Sequence, residues 1–276
     1  VEVEPKRARL HRQGSFAATG AYGRRGGLKE QAWDLCKNPV AMVRFLQEAT
    51  TSRRSRWQGW IASKRFPIHR RKWLLFGCAV CDHFPSILPV AETEELLLTL
   101  SRFADGEADP ATITEVGVRF RNAVNEMILN LTDYIDEVDR NRWLTASRAL
   151  LDLFERCEGY STDPILFLNS VNRTHALLPH DFVRKKSSEI ADLLREVIGN
   201  PMRSAIIEPA WREWNDGVIV KLALTAYEDR RFDLLPILSD ALQEAGCSDE
   251  AILAHCVSDK RHVRGCWVLD AILDRN

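Results

Sequence analysis

The chain has 276 residues, with 38 Lys and Arg against 39 Asp and Glu, so its formal charge is −1. Its apolar fraction of 45% is enough for a sizeable core, and 14 Gly with 11 Pro exclude a collagen-like or wholly disordered chain. No apolar run approaches the roughly 20 residues of a membrane span, and at roughly 150 residues per domain the length suits one large domain or two small ones.

Residues 1–27 hold six Lys or Arg, two Glu and a Gly/Ala/Ser-rich run. So little apolar surface cannot offset the entropy of ordering, and a disordered basic tail is predicted. The N-terminus lacks an apolar leader segment, and seven cysteines make an odd set, at positions 36, 78, 81, 157, 247, 256 and 266. Both features favour a cytoplasmic location over a disulfide-stapled secreted one. Order is expected from Leu28 onward.

Asn38-Pro39 starts a helix, with a side-chain acceptor at the cap and Pro in the first turn. Arg71–Phe84 is apolar on nearly all sides and reads as a buried helix. Glu92–Ala104 is amphipathic, and Asp109-Pro110 opens a further helix through Phe120 and Met127. Gly159–Pro164 breaks the pattern, as does Leu178-Leu-Pro-His180. In Ser187–Ile198, the apolar residues Ile190, Leu193, Leu194 and Val197 fall at helical spacing, and Gly199-Asn200-Pro201 ends the run. After an irregular stretch with Trp211 and Trp214, four helices follow at Val218–Tyr227, Phe232–Ala245, Asp249–Cys256 and Cys266–Leu273. Strand-like alternation is nearly absent, so the predicted class is all-α. The expected architecture is an irregular helical bundle of two packed lobes, 28–158 and 159–276. Ser187–Ile198 is expected to pack with the last four helices in one C-terminal bundle.

Three strings carry a resemblance: Trp33–Leu46 (WDLCKNPVAMVRFL), Arg71–Cys81 (RKWLLFGCAVC) and, above all, Ala245–Leu273 (AGCSDEAILAHCVSDKRHVRGCWVLDAIL). Together with the preceding IGNP segment, they resemble a family of bacterial proteins of uncharacterised activity, abundant in planctomycete-type genomes. Its members end in a string of the form AGC…ILAHC…HVRGCWV.D. The likeness covers about half of the chain. The family has no established activity, so the resemblance carries over no catalytic residue.

The strongest chemical pattern is Cys247-x8-Cys256-x5-His262-x3-Cys266. Four soft or borderline ligands within twenty residues suit a tetrahedral zinc site. His255 is an alternative ligand, but it adjoins Cys256 on a helix and points in another direction. The competing reading makes the cysteines small core residues. A second pattern, Cys78-Ala-Val-Cys81 followed by Asp82 and His83, would matter most if it met the C-terminal set. The basic segment 52–72, interleaved with Trp57, Trp60 and Phe66, could hold phosphates while its rings stack on bases. Arg173-x6-His180 formally fits a helical ribonuclease motif. Trp211 and Trp214 read either as lids over the core or as anchors for a protein partner.

Two function classes follow. The first is a non-catalytic helical interaction module with a structural zinc site at Cys247, Cys256, His262 and Cys266. The alternative is a nucleic-acid-acting enzyme or toxin-like effector using the 52–72 segment. No catalytic residue can be named for either.

Overall fold

The computed structural model of the chain describes residues 30–51, 70–83, 91–131, 147, 151, 180–203 and 205–275. Every regular element among these residues is helical, so the fold is all-α as expected. The helices, in chain order, are α1 (Glu30–Leu35), α2 (Pro39–Thr51), α3 (Arg70–Asp82), α4 (Ala91–Ala104) and α5 (Pro110–Leu131). They continue as α6 (His180–Ile198), α7 (Pro209–Glu228), α8 (Leu235–Glu244), α9 (Glu250–Cys256) and α10 (Trp267–Leu273). A 3-10 turn, Phe232–Leu234, leads into α8. The residues of the expected tail, 1–27, lie outside the described set, as does the lobe boundary near residue 158.

Local chemistry sets the helix ends. The Asn38 side-chain oxygen accepts the Ala41 amide at 3.1 Å. Asp109 likewise accepts the Thr112 amide at 2.9 Å and its hydroxyl at 2.8 Å. Each satisfies donors that a helix start leaves unpaired. α6 begins at His180, immediately after the Pro179 break, and so runs a full two turns longer on its N-terminal side than its apolar stripe alone suggests. Within α7, Trp214 to Gly217 leave helical geometry, with positive φ at Asn215, Asp216 and Gly217. The Trp211–Trp214 segment read as irregular from sequence is therefore a short helical turn joined to the longer 218–228 helix through a kink.

Two hydrophobic clusters organise the packing. The first gathers Trp33, Met42 and Leu46 with Leu75 and Phe76 of α3, Leu96 and Leu100 of α4, and Phe120 of α5. The stripe of α6, Ile190, Leu193, Leu194 and Val197, belongs to this cluster and not to the C-terminal one. Sequence adjacency had grouped α6 with the last four helices. In the structure α6 lies against α2 and α3, and the irregular segment after Gly199 carries the chain away from it. The indole of Trp33 fixes this end by donating to the Gly199 carbonyl at 3.0 Å. The second cluster joins α7, α8, α9 and α10 through Tyr227, Leu235, Leu238, Leu242, Ile252 and Leu269.

Between the clusters lies a buried ionic junction. Asp270 is fully buried and receives both Arg71 terminal nitrogens at 2.8 Å. Lys72 also contacts Asp270, and its ammonium donates to the Val197 carbonyl at 2.8 Å and the Gly265 carbonyl at 3.0 Å. Asp105, just past α4, accepts from Arg71 at 2.7 Å, from Arg264 at 2.6 Å and from the Tyr227 hydroxyl at 3.0 Å. Burial pushes the Lys72 pKa down, and the Asp270 carboxylate opposes that shift.

The segment between α9 and α10 is tied across this boundary almost residue by residue. Lys260 reaches Asp192 at 3.0 Å, Arg261 pairs with Asp82, His262 reaches Glu196 at 3.1 Å and Arg264 grips Glu107 at 2.8 Å. Gly265 is required here. Its φ is +92°, and a Cβ would stand 2.9 Å from a Leu75 methyl. No helix among the described residues is long and apolar enough to cross a membrane.

Candidate metal centre

Four ligand-type side chains meet where this strap crosses α6. They are Glu196 in the last turn of α6, His255 in the last turn of α9, and His262 and Cys266 on the strap itself. One ligand atom from each lies within 4.8 Å of every other. His262 Nδ1 is 3.1 Å from Glu196 Oε1, and His255 Nε2 is 3.3 Å from Glu196 Oε2. His255 Nε2 also lies 3.1 Å from Cys266 Sγ. A tetrahedral zinc with bonds of about 2.0–2.3 Å has ligand–ligand edges of about 3.3–3.8 Å, so small adjustments would close the set around an ion.

Helix geometry explains which side chains arrive. The Asp249 carboxylate caps α9 through the amides of Ala251 and Ile252, at 2.9 and 3.3 Å, which fixes its phase. Ile252 and Cys256 then sit four residues apart on the face that enters the second cluster. His255 points about 100° away from Cys256 and so faces α6 instead. On the strap, the turn at Gly265 brings Cys266 back beneath His255.

Of the four residues singled out by spacing, the structure brings together His262 and Cys266. Cys247 and Cys256 are both buried in the second hydrophobic cluster and are not in the group. Their places as ligand-type neighbours are taken by His255 and Glu196. Spacing arguments miss Glu196 because it comes from a helix 59 residues before His255. The available sequence signal is weak: one carboxylate between Leu194 and Val197, flanking an otherwise apolar stripe.

Glu196 and Cys266 are buried and the two histidines half-buried, and burial perturbs Cys266 and His255 strongly. Burial pushes the Cys266 thiol well above its ordinary value, and the nearby Glu196 adds to this, while the Leu269 and Val268 amides oppose it. Burial pushes Cys256 up to about 12, with Glu196 and Cys247 acting in the same direction. Neither thiol is an available nucleophile, because the thiolate is the reactive form. Burial lowers His255 to about 4, with the neighbouring His262 and Lys260 contributing and Glu196 opposing.

This shift gives a signed prediction for metal-free protein. The unfolded chain protonates His255 near the ordinary value of 6.5, whereas the folded chain refuses the proton until about 4. Between those values the unfolded state binds more protons, so stability falls as pH falls. The slope from this residue is at most about 1.4 kcal/mol per pH unit. Urea midpoints measured from pH 7 to 4, in wild type and in His255→Gln, should show part of the slope vanish in the variant; an unaltered slope would place its origin elsewhere.

His262 faces Glu196 through Nδ1. His262 Nε2 is buried and has no hydrogen-bond partner among the described residues. A buried imidazole nitrogen without a partner is costly. The donor set of one carboxylate, two imidazoles and one thiol matches zinc chemistry. With Glu196 and Cys266 ionised, its two negative charges balance a divalent ion.

The remaining sequence candidates fall elsewhere. Cys78 and Cys81 lie on α3 beside the first cluster and are not in the group, and burial pushes Cys81 up to about 12. Of the basic segment, residues 52–69 lie outside the described set, and Arg71 and Lys72 are committed to Asp270. Arg173 and the His180 side chain are also outside it. Trp211 is buried and Trp214 is packed against the second cluster, as lids over a core are. No family model matches this chain, and no curated protein or solved structure matches it.

Proposed function

We propose that this chain is a non-catalytic helical interaction module whose C-terminal helices are clipped to α6 by a structural zinc ion. The observation that carries the reading is the convergence of Glu196, His255, His262 and Cys266 from three separate chain segments. Four protein ligands close a tetrahedral sphere, which is the pattern of structural rather than catalytic zinc. The burial of Cys266 and Glu196 supports the same reading, since a structural ion sits among buried ligands. Zinc would supply the two positive charges that this buried pair lacks, and the outer helical surface is left for a protein partner.

Elemental analysis of purified protein is expected to give one zinc per chain. Cys266→Ala and His262→Ala should each lose it, while Cys247→Ala should retain it. Chelation should destabilise the fold by about 3 kcal/mol relative to free zinc at a hundred times its Kd, read from thermal or urea unfolding. Metal-free protein that neither takes up added zinc nor gains stability from it would refute the reading.

A further inference from the structure

We infer that the Trp267 indole restrains zinc binding at this site by holding His255 in the tautomer that cannot ligate. The inference rests on the zinc reading above and concerns what tunes it. Trp267 Nε1 donates to His255 Nδ1 at 3.1 Å, and the two rings sit edge to face with centroids 5.0 Å apart. An indole N–H is only ever a donor, so Nδ1 must be the bare nitrogen of the ring. In the neutral ring the proton then resides on Nε2. Nε2 is the atom that faces the cluster, 3.1 Å from Cys266 Sγ and 3.3 Å from Glu196 Oε2.

A ligating histidine needs the opposite arrangement. Its metal-facing nitrogen is bare, and its far nitrogen donates to a carboxylate, carbonyl or water. For His255 to bind through Nε2, the Nε2 proton must leave to solvent and Nδ1 must acquire one. Nδ1–H would then confront the indole N–H, donor against donor. The indole is hemmed in on its other side: a Cβ on Gly199 would stand only 3.1 Å from Trp267 Cγ. The ring therefore cannot slide aside without repacking, and metal binding must break the Trp267 bond. His262 carries no such lock, because its far nitrogen, Nε2, has no hydrogen-bond partner among the described residues. Trp267 is thus a positioning residue that acts on the metal through His255. The restraint keeps the pocket hydrogen-bonded when no ion is present.

Replacing Trp267 by Phe keeps an aromatic ring against Gly199 and removes the donor. Zinc affinity of the full-length chain is to be measured by competition with a chromophoric chelator, for wild type and Trp267→Phe. The variant is expected to bind zinc about three- to tenfold more tightly, the range set by one net hydrogen bond. Equal or weaker binding in the variant, with zinc bound by wild type, overturns the lock and leaves the zinc reading standing. Failure of both proteins to bind zinc overturns the zinc reading itself. A second measurement covers a variant that does not fold. Nitrogen-15 spectra of wild-type imidazoles should show His255 as the Nε2–H tautomer without metal and as Nδ1–H with one equivalent of zinc. An Nε2–H signal that persists in the zinc-loaded protein overturns the inference.

Discussion

Asp270→Ala is expected to destabilise the protein by about 3–5 kcal/mol, the range for breaking a buried ion pair from one side. The Asp270 carboxylate is fully buried and is shared by Arg71, which grips both its oxygens, and Lys72. Removing it leaves two largely buried cations, with side chains only 15% and 12% exposed, without their shared carboxylate. Arg71 retains Asp105, and Lys72 retains the Val197 and Gly265 carbonyls. Neither set replaces the lost charge. Because Arg71 and Lys72 start α3 and Asp270 lies within α10, the damage falls on the boundary between the two hydrophobic clusters. Equilibrium urea unfolding gives the number. Asp233→Ala is the control, since Asp233 pairs with Arg231 in an exposed position and its loss should be undetectable. A midpoint for Asp270→Ala equal to wild type would show that the junction carries no net stability.

Leu238→Ala should cost about 2–5 kcal/mol, because it opens a cavity in a packed core. Leu238 is fully buried within the second cluster, on the same α8 face as Leu235 and Leu242. Its immediate neighbour, Ile237, is 53% exposed. Ile237→Ala should therefore fall within about 0.5 kcal/mol of wild type, as surface substitutions do. This comparison holds helix, residue size and sequence context nearly constant and changes only burial. Equal losses at the two positions would mean that α8 is rotated from the phase described here.

The two experiments address different forces. Leu238 tests apolar packing inside one cluster, while Asp270 tests the charged seam between clusters. The Asp270 experiment also bears on the candidate metal centre, because the strap holding His262 and Cys266 is tied to the seam through Arg264 and Gly265. Under the zinc reading, a chain damaged at Asp270 is expected to lose metal affinity together with stability.

Most helices were legible in the sequence because their signals are local. Asn38 and Asp109 mark helix starts through contacts within three residues. The run from Leu74 to Val80 is buried along its whole length, as its continuous apolar character predicts. The phase of α8 was readable for the same reason: Leu235, Leu238 and Leu242 recur at helical spacing. Of the four residues that spacing groups, His262 and Cys266 lie on one strap and meet, while Cys247 and Cys256 enter the second cluster.

The sequence by itself determined the all-α class, the helix starts at Asn38 and Asp109 and the phase of the apolar stripes, because each depends on interactions within about one helical turn. Only the tertiary structure decided that α6 packs with the N-terminal helices, since an apolar stripe specifies a buried face but no partner. It also decided the membership of the candidate metal centre. Cys256 and His255 are adjacent in sequence, yet a 100° step along α9 sends one into the core and the other toward α6. Glu196 joins them from 59 residues upstream. Ligand identity at such a site depends on the direction and separation of side chains in space, which chain spacing fixes only within a single element.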